Sequence, residues 1–138
     1  MTPADMKRRT RQFALRVIKL VNALPKSAAT SVMGYQLLKA GTSVASNYRA
    51  SCRAKSVADF ISKMGVVEEE CDEAIFWMEM LVEASLIRAD RVADLIREGN
   101  EILKIVVASI NTARRGKRSQ SAIRNPQSAI ASPGGART

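Results

Sequence analysis

Residues 56–83 read SVADFISKMGVVEEECDEAIFWMEMLVE, and this stretch decides the fold. Phe60, Met64, Val67, Cys71, Ile75, Met78 and Val82 recur at three- and four-residue steps. That spacing lines apolar side chains along one stripe of an α-helix. Ser56 followed by Asp59 predicts a capping box, with a hydroxyl N-cap and an acid three residues on. Glu68, Glu69, Glu70, Asp72, Glu73, Glu79 and Glu83 fall largely off the stripe and make the helix acidic.

The same period extends on both sides. Upstream, residues 5–24 carry Phe13, Val17, Leu20, Val21 and Leu24, and Pro25 closes that helix. Residues 29–53 carry Met33, Leu37, Ala40, Val44 and Tyr48. Downstream, Asp90 is a candidate N-cap for a helix striped by Val92, Leu95, Ile96, Ile102, Leu103, Val106 and Ile110. Short connections between long amphipathic helices make successive helices antiparallel. The expected fold is all-α, an up-down-up-down four-helix bundle over residues 1–113. From Arg114 the apolar period stops. RRGKRSQSAIRNPQSAIASPGGART is rich in Ser, Gly, Pro and Arg and repeats QSAI at 120–123 and 127–130. A disordered basic tail is expected over 114–138, because such a segment buries too little to offset its ordering entropy.

A chain of 138 residues supports one domain with a real core. It contains no histidine, which removes the commonest general base and the commonest metal ligand together. The carboxylates of residues 68–83 raise a di-metal reading, but such bundle sites pair inward Glu with Glu-x-x-His, and no His is present. No phosphate-binding glycine loop or nucleophile elbow occurs. The expectation is no enzyme, no cofactor and no metal. Cys52 and Cys71 have no motif spacing and are expected as reduced thiols. Arg16 and Lys19 interrupt the apolar stretch near the start, so no signal peptide is read there and a cytoplasmic location is expected.

The net charge of +9 conceals its distribution. Residues 1–55 hold eleven Lys/Arg against Asp5 alone; residues 56–113 hold five against twelve acids; residues 114–138 hold six and no acid. Such a division favours an anionic partner or charge-matched self-association. At roughly 100° per residue, Arg8, Arg11, Arg16 and Lys19 lie opposite the first core stripe. Tyr35, Lys39, Thr42, Ser46, Arg49 and Arg53 lie opposite the second. Arg and Lys supply charge, Ser and Thr hydrogen bonds and Tyr a stacking face, a composition suited to phosphate contact. An ordinary solvated face is the competing reading, although such faces usually mix signs. Gly34, Gly41, Ala45 and Cys52 form a small-residue flank that predicts close helix approach. Val66, Phe76, Trp77 and Met80 fall on or beside the face opposite the third stripe, where a lone bundle would leave them wet. Flanked by acids, they are expected to dock on the basic face of another subunit.

These residues carry a family likeness. Q-L-L-x-A-G-T-S-V at 36–44, Asn47-Tyr48-Arg49, Ala58-Asp59-Phe60-Ile61-Ser62-Lys63, and Glu70, Asp72, Glu73 and Trp77 resemble the bacterial four-helix-bundle proteins encoded within 23S rRNA intervening sequences. The likeness spans about residues 11–113. It implies a four-helix bundle assembling as a ring-shaped homopentamer and associated with ribosomal RNA. The accessory proteins of diversity-generating retroelements are more distantly similar, and imply a basic barrel that binds nucleic acid and a reverse transcriptase. Ala50 departs from the family pattern, which usually places an acid there. Two functions follow as expectations. One is a non-enzymatic, oligomeric RNA-binding bundle contacting phosphates through Arg8, Arg11, Arg16, Lys19, Lys39, Arg49 and Arg53. The other is a protein-interaction ring held through Val66, Phe76, Trp77 and Met80, docking a partner such as a reverse transcriptase.

Overall fold

Each of the first three helices starts at a hydroxyl. The Thr2 hydroxyl accepts from the Asp5 N–H at 3.1 Å, while the Asp5 carboxylate accepts from the Thr2 N–H at 2.9 Å. Ser27 and Thr30 repeat that reciprocal pair at 3.1 and 2.9 Å. At Ser56 only half of the expected box forms. Its hydroxyl accepts from the Asp59 N–H at 3.0 Å, but the Asp59 carboxylate reaches past it to the Lys55 N–H, also at 3.0 Å. The competing donor, with Lys63 holding the other carboxylate oxygen at 2.6 Å, draws Asp59 away from the cap residue.

The computed structural model describes residues 1–124, with side-chain environments through Ser119. The elements are α1 (Pro3–Asn22), α2 (Ala28–Ser51), α3 (Val57–Glu83) and α4 (Ala89–Arg124), with no strand among the described residues. The expectation that Asp90 caps α4 is corrected: the helix starts at Ala89, and Asp90 sits inside its first turn, bonded by Arg88 at 2.5 Å. α3 ends in a left-handed residue, Ser85, at φ 59°. The Ser85 N–H bonds the Val82 carbonyl and the Leu86 N–H bonds the Leu81 carbonyl, each at 2.9 Å. This pattern reverses the chain and seats Leu86 against the core.

Successive helices pack along their lengths and α4 returns to α1, whereas diagonal helices never approach within 8 Å at Cα. Gly34 lies against Val21 and Leu24, and Gly41 against Val17, so positions rise on α2 as they fall on α1. One end of the molecule gathers Met6 of α1, Tyr48 of α2, Phe60 of α3 and Ile105 of α4 around a single cavity. The other gathers Leu20 and Leu24 with Leu86 and Leu95. The four helices therefore run up, down, up and down.

The core holds Phe13, Val17, Leu37, Val44, Met64, Val67, Met78, Leu81, Ile102 and Val106 at under 2% exposure. All the sequence stripes point inward, with Met33, Phe60 and Val82 at their margins. Cys71 is buried and its thiol donates to the Gly99 carbonyl at 3.2 Å; burial pushes that thiol up to about 12 and keeps it inert. Across the thin α1–α4 seam, Arg9 grips Glu98 through two bonds of 2.7 and 2.8 Å. Within the segment expected as a tail from Arg114, α4 runs on as helix to Arg124. Arg, Lys and Gln are good helix formers even without a packed face. Residues 125–138 of the expected tail lie outside the described residues.

The small-residue flank of α2 does what its spacing predicts, but unequally. A Cβ at Gly41 would meet Val17 at 2.8–3.0 Å, whereas one at Gly34 would meet Leu24 and Val21 at an ordinary 3.4 Å. Thermal unfolding of Gly41→Ala is expected to show a net loss of about 1–2 kcal/mol from overpacking. Gly34→Ala should gain up to about 1 kcal/mol, since alanine is the better helix former. Equal shifts in the two variants would contradict the packing at Gly41.

Candidate nucleic-acid interface

Because α1 and α2 approach closely at Val17 and Gly41, the cleft beside that contact is floored by small side chains. Ala14 and Leu15 of α1 and Thr42, Ala45 and Ser46 of α2 line a groove of ≈ 470 Å³. Lys7 and Arg11 stand on its α1 side and Arg49 on its α2 side. The Thr42 hydroxyl donates to the Leu38 carbonyl at 2.8 Å, so its lone pairs, not its proton, face outward. The groove is therefore cationic at the rim, with alanine, Leu15 and hydroxyl side chains between.

The seven cations expected on two continuous ridges divide into smaller sets. Arg11 and Arg49 share the groove. Arg8 is exposed at the same end and bonded to Asp5 at 2.7 Å. Arg53 is exposed in the turn that follows α2, its N–H bonded to the Ala50 carbonyl at 3.0 Å. Arg16 and Lys19 lie elsewhere. Arg16 is roughly 140° around α1 from Arg11 at the helical step, and with Lys19 it lines a second cavity completed by Arg88 and Arg91 at the start of α4. Lys39 is exposed on α2 beside Glu70, whose carboxyl is raised chiefly by burial and secondarily by Glu73, while Ser43 and Lys39 lower it.

Sequence reading passed over Lys7, Arg88 and Arg91. Lys7 was legible, since it stands one helical turn before Arg11. Arg88 and Arg91 were not, because only the fold brings the start of α4 beside the end of α1. Arg9 was rightly left aside: the Glu98 carboxylate bonded to it raises its already high pKa and occupies its guanidinium.

The charge division of the sequence becomes an axial polarity in the fold. The end holding the start of α1 and the end of α2 carries Lys7, Arg8, Arg11, Arg49, Arg53 and Lys55. Exposed Arg114, Arg115, Lys117 and Arg118 of α4 emerge there as well. Asp5 and Asp59 lie there too, and Glu98 and Glu101 stand beside Arg9 on the same half of the bundle. The Thr2 backbone N–H and hydroxyl hold Asp5 below the usual carboxylate range, and Lys63 and the Lys55 N–H do the same for Asp59, so both are charged but already engaged. Among the described residues no group of three His, Cys, Asp or Glu side chains is arranged to hold a metal. No described helix is long and apolar enough to cross a membrane.

The apolar set on α3 is graded. Val66 and Phe76 are 40% and 47% exposed. Trp77 and Met80 are half-buried, and Trp77 packs against the core. The reading that all four stand wet is thus corrected for Trp77 and Met80, which sit on the flank of the stripe rather than opposite it. The Phe76 and Trp77 rings meet edge to face at 4.9 Å, and the Trp77 indole N–H donates to Glu73 at 3.3 Å.

Four antiparallel helices, the first two basic and the third acidic and partly apolar, define a small all-α four-helix-bundle protein. Residues 4–108 match the family described as 23S rRNA-intervening sequence protein, and the chain belongs to that family. It is also similar to a crystal structure from Bacteroides thetaiotaomicron, described as a protein with unknown function from the S23 ribosomal protein family. Identity is 30%, with 80% of this chain and 99% of that one covered, at a TM-score of 0.75. No match is found among curated proteins.

Trp77 and Phe76 separate packing from surface. Denaturant unfolding at low protein concentration should show Trp77→Ala losing about 2 kcal/mol of buried indole surface. Phe76→Asp should lose less than about 1 kcal/mol, mostly the edge-to-face contact. Equal losses would contradict the half-buried setting of Trp77.

Proposed function

We propose that this protein is a non-enzymatic RNA-binding bundle, associated with ribosomal RNA, whose cationic end grips the phosphate backbone without reading bases. The observation that carries this reading is the α1–α2 groove, where Arg11, Arg49 and Lys7 converge from two helices over a floor of alanines and hydroxyls. Arg8 and Arg53 flank it, extending the cationic surface around the same end. Arg16, Lys19 and Lys39 take a lesser part, the first two with Arg88 and Arg91 at the far end and the third beside Glu70. Family membership supports an RNA partner, since the family description names 23S rRNA. Arginine forks and the absence of an aromatic on the groove favour phosphate contact over base stacking.

Such binding is governed by counterion release, so affinity falls steeply with salt. Replacing Arg11 and Arg49 together with Gln should weaken binding to a short stem–loop RNA and flatten the log–log salt dependence by roughly 1.5. Native affinity that does not change between low and moderate salt would overturn the reading.

The exposed Val66 and Phe76, with Trp77 and Met80 behind them, favour a second and compatible reading. In it the bundle assembles with its own copies, as a homopentameric ring, and presents a scaffold to a further protein such as a reverse transcriptase. An acidic, apolar α3 facing the basic α1–α2 surface of a neighbour is a heterologous contact, the kind that closes into a ring. Multi-angle light scattering should show the native protein as an oligomer and Phe76→Asp as a smaller species. A native monomer would remove this reading and leave RNA binding standing.

A further inference from the structure

Past Ala113 the described side chains of α4 leave the core, although Gly116 and Lys117 still line the cavity at the end where α1 begins. Among the residues whose burial is described, Ile110 is the last buried and Ala113 the last half-buried; Arg114 through Ser119 are exposed. The helix nevertheless continues to Arg124, so it overhangs the end where α1 begins. No acid follows Glu101 anywhere in the chain. At the helical step of roughly 100°, Arg114, Arg115, Lys117 and Arg118 fall within one arc of about 160°, a broad cationic face of the overhang. None of them is in an ion pair among the described residues; Arg115 donates to the Thr112 hydroxyl at 3.3 Å.

This geometry opposes its own stability. Arg114 is three and four residues from Lys117 and Arg118, and Arg115 is three from Arg118, spacings at which like charges repel. Gly116 sits among them with nothing within 4 Å of a would-be Cβ, so no packing requires a glycine there. A short helix with no packed face is marginal in water. A polyanion reverses each of these terms. Phosphates neutralise several of these cations at once, and a cationic face about 160° wide suits the phosphates that flank a nucleic-acid groove.

We propose that the α4 overhang is a second RNA-binding element that engages the phosphates flanking an RNA groove as a helix, tightening as it binds. Basic segments that gain structure on RNA follow the same logic. The proposal rests on the RNA-binding reading above and adds a separate contact at the same end of the bundle.

The test uses the full chain, a short stem–loop RNA and two variants of opposite sense. Replacing Arg114, Arg115, Lys117 and Arg118 with Gln should weaken binding and reduce the log–log salt slope by about 3. Gly116→Ala adds no charge and touches nothing, but stabilises the helix; it should tighten binding by up to about fivefold. Far-UV circular dichroism of the native chain should show helicity rising as RNA is added. If the four-Gln variant binds like the native chain while Arg11→Gln with Arg49→Gln weakens it, the overhang proposal falls and the groove reading stands. If the four-Gln variant weakens binding but Gly116→Ala does not tighten it, the segment binds as extended chain and the proposal is overturned. If the native chain binds no RNA, both readings fall together. If an acidic polypeptide displaces RNA from the native chain but not from the four-Gln variant, the overhang serves a protein partner and the proposal fails.

Discussion

The close approach of α1 and α2 at Val17 and Gly41 is the constraint on which the candidate site depends. No Cβ fits between Gly41 and the Val17 methyl groups. Because the two backbones meet there, the cleft beside the contact is shallow and narrow, and residues on both walls stand across from one another. Ala14 and Ala45 keep it open. Arg11 precedes the contact on a rising helix and Arg49 follows it on a falling one, so antiparallel packing returns them to the same height. A bulkier residue at Gly41 would separate the walls and with them the pair of guanidinium groups.

Electrostatics then acts on a shape already set by packing. The core is held by apolar burial, and a half-buried charge pair between helices, Arg9 with Glu98, closes the α1–α4 seam with two short bonds. Most other ion pairs are local to one helix and exposed, where such pairs contribute little. The unneutralised cations are consequently free to act on partners. Their concentration at one pole, with the acids of α3 spread along its length, gives the molecule a direction along the bundle axis.

Sequence spacing identified the four core stripes, because a period of three and four is imposed locally by the helix itself. It also marked the glycine flank of α2, whose cost inside a helix calls for a compensating contact. Three features were misread for lack of a partner. Asp59 was assigned to the Ser56 cap, but the Lys55 N–H competes for it. Trp77 was placed on the wet face, yet its large ring bends back over the flank of the core. Asp90 reads as the cap of α4, but the helix starts at Ala89 and Asp90 bonds Arg88 from within its first turn.

Composition and period alone therefore determined that this chain is a four-helix bundle without histidine chemistry, basic at its beginning and end and acidic between. Those properties are local or additive, and need no knowledge of which helices touch. Only the tertiary structure decided which cations act together. It joined Arg11 to Arg49, sent Arg16 and Lys19 to meet Arg88 and Arg91, withdrew Arg9 to Glu98 and carried the end of α4 to the pole where α1 begins. Residues far apart in sequence become neighbours through helix direction and crossing, and a helical wheel, which knows only one helix, contains neither.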